Sequence, residues 1–544
     1  MWRGRMRPFD ASGAFRAGVD AGELRRVAVR GAGVGVLAQV LVFGVQVIST
    51  VVLARLLMPG DFGLVAMVTT FSLLFASFGL NGFTEAVIQR PEMDHFLASN
   101  LFWINVSAGV LLTIAFASTG SLLAQLYGDP RVARVTVGIS VTIFITSTSV
   151  QHLALLKRAM RLSALSINDI AARAVSVAVA ILLAWAGWGY WALVAGAVAQ
   201  PLATSIGAWT LCPWVPALPG HAAGTASVVR FAMNIYGRFT VNYFTRNTDN
   251  LLVGWRFGSG PLGFYKKAYD LFLLSASILV SPLTAVAVPA LSRSSRESVQ
   301  YRRLLLRMLA VIAFVGMGWG AALTLVGKDV IRLALGPGWE TAGRIFTFFG
   351  PGVGVMLLHG AHGWIHVSIG TASRWFRWVA VEFTVTGLLF LMGLPWGPEG
   401  IAVAWTVSFW ILVVPAFWYA GRPIGFGIVP VILAVWKYAL ASLLAGCTSA
   451  VILRNLPVLT EAPGAIGAAA RVVIGSLLCG ALYLAAVVML HRELAPLYQF
   501  AGLLREMKLW GRVSRSAPAV AAGTGSQLAQ TDTGRPWYRS RSDT

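Results

Sequence analysis

The chain has 544 residues, 57% of them hydrophobic and 12% charged, with a mean hydropathy of +0.72 and a formal net charge of +22. Soluble domains carry about 25% charged residues and single cores stop growing near about 250–300 residues, so most of this apolar surface must face lipid. The basic residues are spread over tails and short loops with no basic soluble domain to hold them, which argues against nucleic acid and for anionic lipid headgroups.

Residues 1–30 form a basic tail (Arg3, Arg5, Arg7, Arg16, Arg25, Arg26 and Arg30) without the short apolar core and cleavage site of a signal peptide. A bilayer core of about 30 Å needs about 20 mainly apolar residues per helix. On that measure spans are expected near 31–57, 61–83, 97–125, 132–156, 164–187 and 189–211. After a linker at 212–230, six more lie near 231–256, 262–291, 303–327, 343–368, 374–393 and 400–420. Residues 421–490 hold two further spans, near 427–453 and 468–490, giving about fourteen in all. Residues 491–544 read as a basic, largely disordered tail, since they offer little apolar surface to offset ordering.

Orientation follows from the positive-inside rule. With the N-terminus cytoplasmic, the inside segments hold the N-terminal tail, Lys157, Arg158 and Arg161, the group Arg293 to Arg307, Arg374, Arg377, Arg422 and the basic C-terminal tail. The outside loops hold fewer, such as Arg131, Lys328 and Arg454. Both termini and the linker are then cytoplasmic.

The sequence also repeats itself. Residues 53–64, LARLLMPGDFGL, align with 253–264, VGWRFGSGPLGF, at an offset of 200 that places Gly63 on Gly263. Leu73-Leu74 and Ala76-Ser77 fall on Leu273-Leu274 and Ala276-Ser277. A duplication of this kind predicts two six-helix lobes, residues 31–211 and 231–420, with a substrate path at their interface and alternating access by rocking.

Charge in lipid is costly, so intramembrane polar residues face a cavity or a partner. The seventh span carries Asn234, Arg238, Asn242, Arg246 and Asp249 at spacings of four, four, four and three, one stripe less than about 130° wide. Arg238 and Arg246 suit an anionic group such as a diphosphate; an internal Arg246–Asp249 pair is the structural alternative. Gln46 is the repeat counterpart of Arg246, and Arg173 is a further cavity cation candidate. Glu382 and Lys437 stand alone in apolar helices. Glu382 and Asp249 are candidates to couple transport to H+ or Na+, with hydrogen-bonded packing as the alternative for Glu382. Lys266 and Lys267 read as snorkelling to the interface.

His359, His362 and His366 share one face of the tenth span. No carboxylate or cysteine is near them in sequence, so a hydrogen-bonded or interfacial cluster is expected and no metal or other cofactor is assigned. The three cysteines, Cys212, Cys447 and Cys479, have no CxxC or metal spacing. No HExxH, GxSxG or P-loop signals a catalytic domain, and the short outside loops lack the paired carboxylates that a glycosyltransferase or polymerase would need. The residues point to a transporter, not an enzyme.

The stretch ARLLMPGDFGLVAM (54–67) resembles the first-loop signature of bacterial polysaccharide flippases of the Wzx/WzxC type, members of the MOP superfamily with the MATE exporters. AVIQRPEM (86–93), LFWIN (101–105), RNTDNLLVG (246–254), LGFYKKAYDL (262–271), SPLTAVAVPALSR (281–293) and GPEGIAVAW (397–405) match in order, over roughly residues 30–420. The resemblance implies an all-α, MATE-like pair of six-helix lobes plus two extra C-terminal helices. It implies an undecaprenyl-diphosphate-linked oligosaccharide as cargo across the bacterial inner membrane, with a polysaccharide polymerase and export machinery as partners. A MATE-type antiporter of the same fold is the alternative. A cationic cavity, a theme of the family, falls here on Arg238, Arg246 and Asp249.

Overall fold

The computed structural model describes residues 6–15, 24–90, 92–220, 225–294, 297–456 and 464–493. Side chains of some residues inside helices, among them 24–37, 234, 238, 242 and 246, lie outside the described set, as does the expected C-terminal tail from residue 494. Among the described residues every named element is a helix and there is no named strand. In order the helices are α1 (Leu24–Leu56), α2 (Pro59–Gln89), α3 (His95–Ser118), α4 (Gly120–Tyr127), α5 (Arg131–Arg158), α6 (Leu162–Trp185), α7 (Tyr190–Leu211) and α8 (Thr225–Phe257). They continue with α9 (Ser259–Ser294), α10 (Ser298–Leu335), α11 (Glu340–Phe349), α12 (Val353–Ser368), α13 (Ala372–Gly393), α14 (Gly397–Gly421), α15 (Val429–Arg454) and α16 (Gly464–His491).

Eleven stretches of the described residues are long and apolar enough to cross a bilayer, and one of them, Ser373–Ile424, holds both α13 and α14. Helices α8 and α9, in which several residues lie outside the described set, are not among the eleven. At 33 residues α8 is about 50 Å long, and it starts at Thr225, inside the segment expected to be linker. Two expected spans are broken helices. The first breaks at Thr119, where Gly120 lets the chain approach Ala133 of α5 so closely that a Cβ would lie 3.1 Å from its carbonyl oxygen. The second breaks at Gly350–Gly352, a 3-10 turn around Pro351, which has no N–H to continue the ladder. Past the first break, the Arg131 guanidinium grips Asp129 at 2.8 Å and holds its carboxyl below the usual range.

Within the N-terminal half, α5 packs on α2, α3 and α7, and α6 packs on α7 and α1. In the C-terminal half α10 is the hub, touching α11, α12, α15 and α16, while α14 packs on α12 and α13. The two extra helices are joined to that hub by Arg471–Asp329 at 2.7 Å and by Tyr483, whose hydroxyl donates to the Phe314 carbonyl at 2.7 Å. The N-terminal tail is not all free chain: Met6 N–H donates to the Leu211 carbonyl at 2.9 Å and Phe15 N–H to the Met93 carbonyl at 3.2 Å.

The halves meet through α2, which packs on both α8 and α9. Helices α2 and α9 begin 200 residues apart, at Pro59 and Ser259. Met58 N–H donates to the Asp61 carboxylate at 3.0 Å and, with Pro59 in the first turn, starts α2. Gly258, at φ +83°, makes the turn into α9 that a side chain would strain. A Cβ on Gly63 would lie 1.7 Å from the Ser259 carbonyl oxygen; one on Gly263 would lie 1.8 Å from that of Pro59. The repeat exchanges these two contacts, as a twofold axis exchanges contacts in a symmetric dimer. The backbones cross with no side chain between them, the close approach that small residues permit in membranes.

Trp339 (2% exposed) covers the crossing. Its indole N–H donates to the Ala54 carbonyl at 2.9 Å, and its ring meets Phe62 and Phe264 edge-on at 5.6 and 5.8 Å. Gly63→Ala or Gly263→Ala must push α2 and α9 apart, a loss of at least about 1–3 kcal/mol. Thermal unfolding of the purified variants should show both melting earlier, with the double variant costing less than the sum because the two sites share one contact. Unchanged melting of both single variants would contradict the crossing.

Candidate substrate path along the seam

Below the crossing, α2 and α8 run antiparallel and are stitched by tyrosines. The Tyr243 hydroxyl donates to the Thr70 carbonyl at 2.7 Å and the Tyr236 hydroxyl to that of Leu74 at 2.9 Å. Phe78 meets Tyr236 edge-on at 5.0 Å, and a Cβ on Gly82 would sit 2.7 Å from the Ala232 carbonyl oxygen. At 100° per residue, Ala232, Tyr236 and Tyr243 share one face of α8. The positions Asn234, Arg238, Asn242, Arg246 and Asp249 centre about a third of a turn away. The polar row therefore flanks the seam and does not plug it.

Of that row, Asp249 is described in full, and the side chains of Arg238, Asn242 and Arg246 lie outside the described residues. Asp249 is 2% exposed. It accepts from the Tyr265 hydroxyl of α9 at 2.8 Å and from the Asn250 N–H at 2.8 Å, so two donors share its carboxylate in a site that excludes water. Tyr265 is itself fully buried. This bond ties α8 to α9 inside the C-terminal half. The sequence offered only Arg246 as a partner, because helical spacing pairs residues within a helix and is silent on a neighbouring one.

Lys266 and Lys267 each have a protein partner instead of reaching for the interface alone. Lys266 pairs with Asp270 at 2.8 Å, and the Lys267 ammonium lies 4.1 Å from the centre of the Phe62 ring, a cation–π contact across the seam. Arg55 crosses the same seam, donating to the Leu333 carbonyl at 2.9 Å. Gln46 is exposed on α1 and Lys437 is half-buried on α15. Arg173 lies 3.4 Å from Asp169 one turn away on α6, in a pair that is 35% and 52% exposed. An exposed pair of this kind contributes about 0–1 kcal/mol, and α6 packs on α7 and α1, away from the seam.

Glu382 is not a lone charge. The three-residue link between α12 and α13 turns at Gly370, φ +71°, and folds the helices into a hairpin. Glu382, twelve residues past that turn, is thereby opposite His359, eleven before it. The Glu382 carboxylate is 3.0 Å from His359 Nε2 and 3.6 Å from His362 Nε2. His366 lies apart, its Nδ1 2.9 Å from the Thr371 hydroxyl. Counting outward from Gly370 would have found this carboxylate; hydropathy and spacing within one helix could not.

Residues 52–343, more than half of the chain, match the family described as polysaccharide biosynthesis protein. The lipopolysaccharide biosynthesis protein WzxC of Escherichia coli K12 is 22% identical over 324 residues, 58% of this chain and 65% of that protein. The succinoglycan biosynthesis transport protein ExoT of Rhizobium meliloti is 21% identical over 333 residues, 61% of this chain and 67% of that one. The teichuronic acid biosynthesis protein TuaB of Bacillus subtilis is 25% identical over 60% of this chain and 68% of its own length. The alignment with WzxC thus spans just under two thirds of that relative. Among solved structures, the lipid II flippase MurJ in an inward closed conformation aligns at a TM-score of 0.68, with 13% identity over 85% of this chain and 99% of MurJ. An inward-facing MATE multidrug transporter of the MOP superfamily aligns at 0.59, with 9% identity over 70% and 94%. These likenesses fix the fold as all-α and MATE-like. The chain is a polytopic membrane protein that belongs to the polysaccharide biosynthesis protein family.

Proposed function

We propose that this protein is a flippase that carries undecaprenyl-diphosphate-linked oligosaccharide repeat units across the bacterial inner membrane for exopolysaccharide, capsule or lipopolysaccharide assembly. The observation that carries the reading is the family match over residues 52–343, which contains the Gly63–Gly263 crossing and the α8 polar row. Residues 31–211 and 231–420 act as two lobes that rock about that crossing, with 421–490 appended to the second lobe. Both termini are cytoplasmic. A polysaccharide polymerase and export machinery receive the product.

In this mechanism the diphosphate engages Arg238 and Arg246 of α8, with Asn242 beside them and Gln46 on the first lobe's equivalent helix. Guanidinium groups suit this task because they stay charged and can donate two parallel hydrogen bonds to phosphate oxygens. Asp249, held by Tyr265, sets the periplasmic end of the row, and its carboxylate is the group we assign to couple transport to H+ or Na+. The protein acts by binding and reorientation, without covalent chemistry.

Deleting the gene in its bacterial host should abolish the polymer and leave lipid-linked repeat units in the cytoplasmic leaflet. Unchanged polymer together with new drug sensitivity would instead identify a MATE-type antiporter. In the complemented strain, Arg238→Ala and Arg246→Ala should each lower polymer export about tenfold or more, the scale of one lost charge-assisted contact, with membrane levels unchanged. Full export by both variants would remove the cationic row from the mechanism. Tyr265→Phe takes one donor from Asp249 and should cost about 1–3 kcal/mol of stability, read as earlier thermal unfolding of the purified protein.

A further inference from the structure

The cluster on the α12–α13 hairpin has a use that the substrate path does not account for. His359 and His362 are 6% and 4% exposed, and the Glu382 side chain is 18% exposed. One ligating atom from each, the two Nε2 nitrogens and one carboxylate oxygen, lies within 4.8 Å of the others. The distances of 3.0 and 3.6 Å from the carboxylate to the two nitrogens bracket the roughly 3.3 Å between neighbouring ligand atoms on a tetrahedral zinc ion. Glu382 Oε1 is within hydrogen-bond reach of His359 Nε2, yet among the described residues none of His359 Nε2, His362 Nε2 and Glu382 Oε1 makes a well-aligned hydrogen bond. Three buried polar atoms converge on one point.

The outer arrangement is that of metal-binding histidines. His362 turns its Nδ1 onto the His359 backbone carbonyl, which fixes the tautomer and aims Nε2 at the point of convergence. Aromatic rings close the site: Phe409 of α14 packs edge-on against His359 at 5.2 Å, and Trp378 against His362 at 6.4 Å. Arg374 of the hairpin is committed elsewhere, donating to the Tyr419 carbonyl at 2.9 Å and lying 4.3 Å over the Tyr419 ring. A carboxylate in a dry site needs a compensating cation.

We propose that His359, His362 and Glu382 bind one divalent transition-metal cation of the zinc class. Two imidazole nitrogens and one carboxylate oxygen hold three tetrahedral positions, and water takes the fourth. The ion pins α12 to α13 near the middle of the bilayer. The site lies within the C-terminal half and is independent of the cargo.

The test uses the full-length chain, purified in detergent through a tag without histidines and stripped with chelator. Titrated with Co2+ and then Zn2+, the wild type should take up one equivalent, show the visible absorption of tetrahedral Co2+, and melt at a higher temperature when loaded. His362→Gln and the near-isosteric Glu382→Gln should each weaken binding at least tenfold and lose that absorption. His366→Gln, whose ring lies outside the triad, should bind as the wild type does. A folded wild-type protein that takes up no stoichiometric metal would overturn the proposal. So would binding left unchanged by Glu382→Gln in a protein that elutes as the wild type.

Discussion

The contact on which the two halves depend is a crossing of bare backbone. At Gly63 and Gly263 the helices α2 and α9 come so close that a single methyl on either would overlap a carbonyl oxygen of the other. Lipid tails are as apolar as a helix surface, so helices in a membrane gain little by hiding apolar side chains from solvent. Close packing of small residues takes that role, and here it falls on the same two positions of a duplicated segment. Because each glycine meets the start of the other helix, the contact is self-complementary and needs no further element to define its register. Trp339, Lys267 and Arg55 then cover it from both halves.

From that crossing the remaining features follow in order. The tyrosines of α8 hold about one turn of α2 through the Thr70 and Leu74 carbonyl oxygens, contacts that a sliding or parting helix can exchange one at a time. The polar row occupies a neighbouring face of α8, so the half that moves against α2 carries the row with it. Asp249 is anchored to α9 through Tyr265, which makes the end of the row part of the C-terminal half and not of the seam. In the proposed mechanism the row is a binding surface fixed to one half beside a seam between two halves, the arrangement that alternating access uses.

Much of the fold was legible in the chain because lipid imposes one rule on every span: enough apolar residues in a row, with backbone bonds satisfied inside the helix. That rule is local, so the expected spans fall on the observed helices. It fails where the cause lies elsewhere in the molecule. The breaks at Thr119 and Pro351 sit inside windows that remain apolar. Helix α8 extends back to Thr225 because a polar helix end costs nothing beyond the bilayer. Gly63 and Gly263 were visible as a repeat, but their contact was not, since a repeat fixes equivalence and not proximity. The site residues divide in the same way. Positions on one helix face could be read from spacing, whereas the partners of Asp249 and Glu382 come from adjacent helices, and Arg173 proved to be paired within its own exposed surface.

The central claim is that the halves must part along α2 and α8 for cargo to cross. Cysteines at Gly82 and Ala232 test it directly: a Cβ on Gly82 would lie 2.7 Å from the Ala232 carbonyl oxygen and 3.1 Å from its Cβ, and the small parting that this overlap forces brings the two Cβ atoms to the roughly 3.5–4.5 Å that a disulfide spans. With Cys212, Cys447 and Cys479 replaced, the doubly substituted protein in vesicles should move a fluorescent lipid-linked oligosaccharide when reduced. It should stop when oxidised and recover when reduced again. Undiminished transport with the cross-link fully formed would contradict the account.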